Sequence, residues 1–256
     1  MLERRIDIST VSGVMETFVV HPSAGGPFPA VILYMDVWGI RGELIDIAYR
    51  IATVGYYCML PDFYYRQGRV RTEFRDEKNR MISMDVLDEQ QRQIALAPLA
   101  KLTDAMVVDD TESVLRFIDR GEPVRTGAMG AIGYCMGGRH VFRVAGAFPQ
   151  RFRASASLHG SLIVTDDNDS QHLSASKGAG ELYCGLAEKD RHVQAPTIKK
   201  LNETAWNLNY QYELHKGAHH GYALPDRDVY DKHAANRDWE IIFAMFRRQM
   251  PLSPSL

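Results

Sequence analysis

At 256 residues, 45% of them hydrophobic, the chain is long enough for one large core that needs no disulfide or metal staple. Its 30 Lys and Arg against 32 Asp and Glu leave a net charge of −2, so no basic footprint points to nucleic acid or an anionic membrane. Cys58, Cys135 and Cys184 are too few and too scattered for a disulfide framework.

The opening Met1 to Asp7 has no apolar signal segment and no run approaches membrane-spanning length, so a cytoplasmic protein with no membrane partner is expected. Residues 11–20 and 30–34 read as strands on either side of a Gly/Pro turn. Residues 42–54 have helical spacing, with Leu44, Ile47, Ala48 and Ile51 on one face. A short buried strand at 56–60 is ended by Pro61 and Asp62. Residues 104–119 read as an amphipathic helix, 128–132 as a strand and 138–147 as a helix. Strands follow near 154–158, 181–186 and 209–214, with helices near 195–206 and 228–250. Cys58 and Cys184 fall inside apolar strand segments, as core thiols do. Buried strands alternating with covering helices predict one α/β domain over 1–256, a mostly parallel sheet with helices on both faces.

The run Gly133-Tyr134-Cys135-Met136-Gly137-Gly138 sits where strand gives way to helix. It places a cysteine between two glycines, each two residues away, the pattern of a nucleophile elbow with cysteine in the usual serine position. The following helix would present its positive end to the sulfur and favour thiolate. The competing reading is a buried cysteine in a glycine-bearing turn. Two later loops supply the partners in the order nucleophile, acid, histidine. Asp190 follows the strand at 181–186, and His219 and His220 follow the strand ending at 214. A histidine can take the thiol proton and return it to a leaving group, while a carboxylate fixes its tautomer. The amide of Met136 would be one half of an oxyanion hole, with the other half from the loop Asp36-Val37-Trp38-Gly39.

Five pieces together make the chain similar to the dienelactone hydrolase family, from about residue 27 to the final helix. They are Met35-Asp36-Val37-Trp38-Gly39, Leu60-Pro61-Asp62-Phe63-Tyr64-Tyr65-Arg66-Gln67, the cysteine elbow, Asp190 with Val193 and Ala195-Pro196, and Gly217-Ala218-His219-His220-Gly221-Tyr222. The resemblance implies an α/β-hydrolase fold with Cys135 as nucleophile, Asp190 as acid and His220 as base. His220 is chosen over His219 because the family motif places glycine and an aromatic directly after its histidine. It also implies the amides of Val37 and Met136 as the oxyanion hole, and hydrolysis of a small-molecule ester or lactone through a thioester. Thioester hydrolysis, acyl transfer to another acceptor, and a non-catalytic binding role are the alternatives.

The departures concern activation and substrate. Relatives carry glutamate where this chain has Asp36, and there the carboxylate pairs with the resting thiol, so Asp36 is the expected activating group. An arginine that holds the substrate carboxylate lies four residues beyond the family histidine, where this chain has Leu224. Arg66 and Arg92 are then the candidates for that contact, with Trp38, Tyr134 and Tyr222 as flat pocket walls. The stretch at about 64–102 is longer than the family pattern and reads as a lid-like excursion. No His/Cys/Asp cluster has metal-ligand spacing and no phosphate loop follows a strand, so neither metal nor cofactor is expected.

Overall fold

Eight strands form one sheet in the computed structural model, which describes residues 1–252. In chain order they are β1 (Leu2–Thr10), β2 (Gly13–His21), β3 (Ala30–Tyr34), β4 (Tyr57–Pro61), β5 (Met129–Tyr134), β6 (Phe152–Leu158), β7 (Glu181–Lys189) and β8 (Asn209–His219). Across the sheet the order is β1-β2-β4-β3-β5-β6-β7-β8. The β1–β2 hairpin is antiparallel, as is its junction with β4, and all pairings from β4 to β8 are parallel. Every residue of β3, β4 and β5 is buried, as continuous apolar runs in a doubly covered parallel sheet must be.

The helices are α1 (Gly42–Thr53), α2 (Glu89–Leu96), α3 (Asp104–Ile118), α4 (Met136–Ala147), α5 (Gln171–Ala175), α6 (Ala195–Glu203) and α7 (Lys232–Gln249). They lie on both faces. A side chain at Gly130 would run into Phe246 and Met250 at the end of α7, whereas one at Gly133, three residues along the same strand, would strike the backbone of α4. An odd separation on a strand means opposite faces. No helix among the described residues is long and apolar enough to cross a membrane. This is the α/β-hydrolase arrangement expected from the sequence.

After β3 the chain moves outward to β4, then returns across β3 to lay down β5 on its other side. The loops leaving the carboxyl ends of β3 and β5 therefore diverge, and such a switch point opens a crevice. Residues 35–39 and Cys135 flank it.

The structure differs from expectation in a few elements. β1 was not anticipated because Leu-Glu-Arg-Arg-Ile-Asp-Ile-Ser-Thr is a largely exposed edge strand with little apolar alternation. α2 buries only Ala95 and is held by a capping box, Asp88 accepting from the Gln91 amide at 2.8 Å and Gln91 from the Asp88 amide at 3.1 Å. The short helix α5 was also missed. β7 and β8 run further than their apolar cores, to Lys189 and His219, and deliver Asp190 and His220 at the strand ends. α7 begins at Lys232 because the Asp231 carboxylate accepts from the amides of His233 and Ala234.

Candidate active site

Cys135 occupies the turn between β5 and α4 with φ 54° and ψ −114°, a strained backbone for a side chain with a Cβ. Its neighbours hold it there. Its amide donates to the Leu158 carbonyl at 3.0 Å, and its carbonyl accepts from the Ser161 amide at 3.1 Å. A Cβ at Gly133 would collide with the Gly137 carbonyl, and one at Gly137 with the Tyr34 carbonyl. Both glycines are thus required for α4 to start this close to the sheet. Cys58 and Cys184 are buried free thiols, pushed far up by burial, so they have core roles.

Asp190 and His220 meet beside this elbow. The Asp190 side chain is wholly buried, its Oδ2 lying 2.6 Å from His220 Nδ1 and its Oδ1 accepting from the His192 amide at 2.8 Å. Burial works against a charge on His220, but a negative Cys135 sulfur, the Asp190 hydrogen bond and the Cys135 hydrogen bond outweigh it and raise the imidazole to about 10. His219 instead pairs in the β7–β8 ladder opposite Lys189 and points to solvent.

His159, at the end of β6, packs edge-on against His220 with ring centroids 5.0 Å apart. It is fully buried, neither ring nitrogen has a hydrogen-bond partner, and burial holds it well below the ordinary histidine range. It is therefore a neutral wall at neutral pH, and leaves His220 as the imidazole that carries charge.

Val37 and Met136 both line a cavity of about 290 Å³ that opens at Cys135 and His220. Met136 is the first residue of α4, so its amide has no partner within the helix. Tyr64, buried, braces both residues: its hydroxyl lies 3.2 Å from the Val37 carbonyl and 3.3 Å from the Met136 sulfur. The motif around Tyr64 does not reveal this bracing role, which depends on contacts to residues distant in the chain.

Several expected site residues sit elsewhere. Asp36 Oδ1 accepts from the Trp38 amide at 3.1 Å and from Arg41 at 2.8 Å, while Oδ2 has no hydrogen-bond partner. The carboxylate makes no hydrogen bond to the thiol, and it is paired instead with a buried arginine. Arg66 makes a two-pronged ion pair with Asp110, at 2.7 and 2.8 Å, and Arg92 donates to the Leu87 carbonyl at 3.0 Å. Neither lines the cavity. Tyr134 is fully buried below the elbow, and Tyr222 donates to Asp238 at 2.6 Å and packs on His159. Both support the site from inside the core. Of the three proposed aromatic walls, Trp38 lines the cavity.

The cavity's remaining lining combines the apolar Met84, Leu96, Leu99 and Leu162 with the polar or charged Ser83, Asp85, Ser161, Arg191, His192 and Arg227. Arg227 is 4% exposed, stacks on Trp38 at 5.2 Å and has a buried Nε with no partner. Its hydrogen bond to the Ile82 carbonyl is long, 3.5 Å. Burial pulls its guanidinium down, and the Asp36 carboxylate that counters this is already paired with Arg41. Sequence reasoning missed it, since no motif spacing marks a residue seven beyond the histidine.

Met84, Leu96 and Leu99 come from the stretch between β4 and α3. That stretch is docked rather than free. Met81 exchanges backbone hydrogen bonds with the 226–228 turn, its amide donating to the Asp226 carbonyl at 2.7 Å and its carbonyl accepting from the Asp228 amide at 3.0 Å. The Asp228 carboxylate accepts from the Ser83 amide at 3.0 Å and hydroxyl at 2.6 Å. One more grouping was not foreseen: Asp190, His192 and His220 bring possible metal-ligand atoms within 4.8 Å of one another.

A family model described as the dienelactone hydrolase family matches residues 15–250. A Methylorubrum extorquens protein named "Putative carboxymethylenebutenolidase" is 25% identical over 254 residues, covering 97% of this chain and 81% of its own. A carboxymethylenebutenolidase of Pseudomonas putida is 27% identical over 145 residues, 57% of this chain and 56% of the relative. Among solved structures, a "Putative Dienelactone Hydrolase" from Klebsiella pneumoniae superposes with a TM-score of 0.81 at 21% identity, covering 96% of this chain and 98% of that one.

Proposed function

The chain belongs to the dienelactone hydrolase family, and from that premise we propose that it is a carboxylic-ester hydrolase acting on a small ester or lactone through Cys135, His220 and Asp190. The observation that carries this reading is the Asp190–His220 hydrogen bond beside a cysteine raised on a strained elbow, with His220 and Cys135 lining one cavity. The sulfur attacks the acyl carbon, forming a C–S bond and an oxyanion that the amides of Val37 and Met136 receive. Collapse breaks the C–O bond, and the proton held by His220 goes to the leaving oxygen. Water then adds to the thioester, giving its proton to His220, and the acid departs with the thiolate restored. Asp190 stays ionised throughout and keeps the Nδ1 proton in place.

Mixing the enzyme with p-nitrophenyl acetate tests this. A burst of one p-nitrophenolate per chain is expected, with an acetyl group trapped on Cys135 by acid quench and peptide mass analysis. No turnover of activated esters and no adduct on Cys135 would sink the reading.

Arg227 narrows the substrate. Arg227 is the buried cation of the cavity wall, and a buried guanidinium with an unpartnered Nε is costly. A carboxylate on the acyl portion would complete it and lie against the Trp38 face, taking over the role that Leu224 cannot perform. Charge-assisted hydrogen bonds contribute about 1.5–3 kcal/mol, roughly 10- to 150-fold. Arg227→Met is therefore expected to lower kcat/KM by that factor for a carboxylated ester and to leave an uncharged ester of equal size nearly unaffected. Equal losses on both esters would remove Arg227 from substrate recognition.

A further inference from the structure

We propose that Asp190, His192 and His220 form a binding site for a divalent transition-metal cation of zinc's ligand preference, and that filling it switches the enzyme off. The site is distinct from the thiol: its ligand atoms lie within 4.8 Å of one another, a group that does not include Cys135. The second half of the proposal, the loss of activity, rests on the catalytic reading above; the binding half does not.

Zinc takes imidazole nitrogen at about 2.0–2.1 Å and carboxylate oxygen at about 2.0–2.2 Å, so neighbouring ligands in a tetrahedral site stand about 3.3 Å apart. Asp190 Oδ2 and His220 Nδ1 are closer than that, at 2.6 Å, because they share a proton. A cation entering between them replaces that proton, which leaves to solvent, and spreads the pair by less than an ångström. The His192 ring already faces this point, with its centroid 5.3 Å from that of His220. The turn is built to hold it there: the His192 amide donates to Asp190 Oδ1 and the Gln194 side chain to the Asp190 carbonyl at 3.0 Å. His192 also lines the cavity, so a hydrated cation reaches the site from the mouth, and the fourth position falls to water.

Occupation silences the chemistry by a simple route. With metal on Nδ1, His220 loses the carboxylate partner that fixes its tautomer and its charge, and a cation stands where the imidazolium must form. The acyl step then lacks its proton donor. Sulfur need not be touched.

Calorimetric titration of ZnCl₂ into the full chain carrying Cys135→Ala is the direct test, because it removes both the thiol and any dependence on turnover. One zinc per chain is expected, and combining Cys135→Ala with His192→Ala is expected to weaken binding by about tenfold or more. His192→Asn serves as the second variant if the alanine chain does not fold. In the thiol-bearing enzyme, zinc should suppress p-nitrophenyl acetate hydrolysis, EDTA should restore it, and His192→Asn should raise the half-inhibiting zinc concentration relative to its own zinc-free rate. Zinc binding that vanishes with Cys135→Ala yet is unchanged by His192→Asn would put the metal on the thiol and overturn the proposal. So would no binding at all. If the chain hydrolyses no ester, the calorimetry still decides the site, and the two failures are told apart.

Discussion

Cys135→Ala is expected to lower kcat by about a million-fold, the order seen when a catalytic nucleophile is removed. Both residues carry a Cβ, so the elbow's strain is unchanged, and it is held by backbone hydrogen bonds to Leu158, Arg139 and Ser161. Loss of rate without loss of fold is therefore the anticipated pattern. The same variant carries a second readout. The Cys135 sulfur contributes twice to the raised His220 imidazole, once through charge and once through a hydrogen bond. With the sulfur gone, burial and Asp190 are left to compete, and the imidazole titration followed by NMR should fall from about 10. A variant that keeps a tenth of the native rate would place the nucleophile elsewhere.

Asp190→Asn should cost about 10⁴-fold in kcat with KM little changed. The substitution is nearly isosteric, but the carboxamide has one acceptor to offer where the carboxylate has two. The His192 amide claims an acceptor at 2.8 Å, so the amide nitrogen turns toward His220 Nδ1. That nitrogen can only donate, and His220 must then carry its proton on the wrong ring atom, where it cannot accept one from the thiol. The side chain is wholly buried, so no water substitutes for the lost acceptor. Asp190 does not line the cavity, which is why substrate binding should hold. Steady-state kinetics on one ester separate the two parameters; a change confined to KM would contradict the assignment.

What could be read from sequence was whatever a local pattern encodes. The buried strands β3 to β7 and the helices α1, α3 and α4 announce themselves by apolar periodicity, and the elbow by its glycines. Asp190 and His220 were reachable because strand ends are where a sheet delivers its loops. The misses share a cause. β1 and α2 bury little, so periodicity had nothing to detect. Arg66 and Asp36 were misplaced because their fates depend on charges distant in the chain or on the opposite side of a loop: Asp110 lies 44 residues from Arg66, and Arg41 reaches back to Asp36 while gripping Asp226, 185 residues away. Tyr134 and Tyr222 were drawn toward the pocket by their motifs, yet each faces the core. Arg227 is invisible in a motif, and its meaning lies in what it lacks, which only the fold can display.

The short turn at 226–228 bears on how this site could be altered. Asp226 clamps Arg41 at 2.5 Å, Arg227 enters the cavity and Asp228 pins Ser83. Three consecutive side chains thus join the loop after β3, the cavity wall and the segment at Ser83 and Met84 that roofs the cavity, which are far apart along the polypeptide. Such a turn acts as a keystone for inheritance as well as for architecture. A roof taken from one relative and set on another would meet a foreign turn, with Ser83 unmatched and Arg227 out of place. The unit that changes specificity here is therefore two stretches of chain travelling together, and engineered chimeras of this site should be cut accordingly.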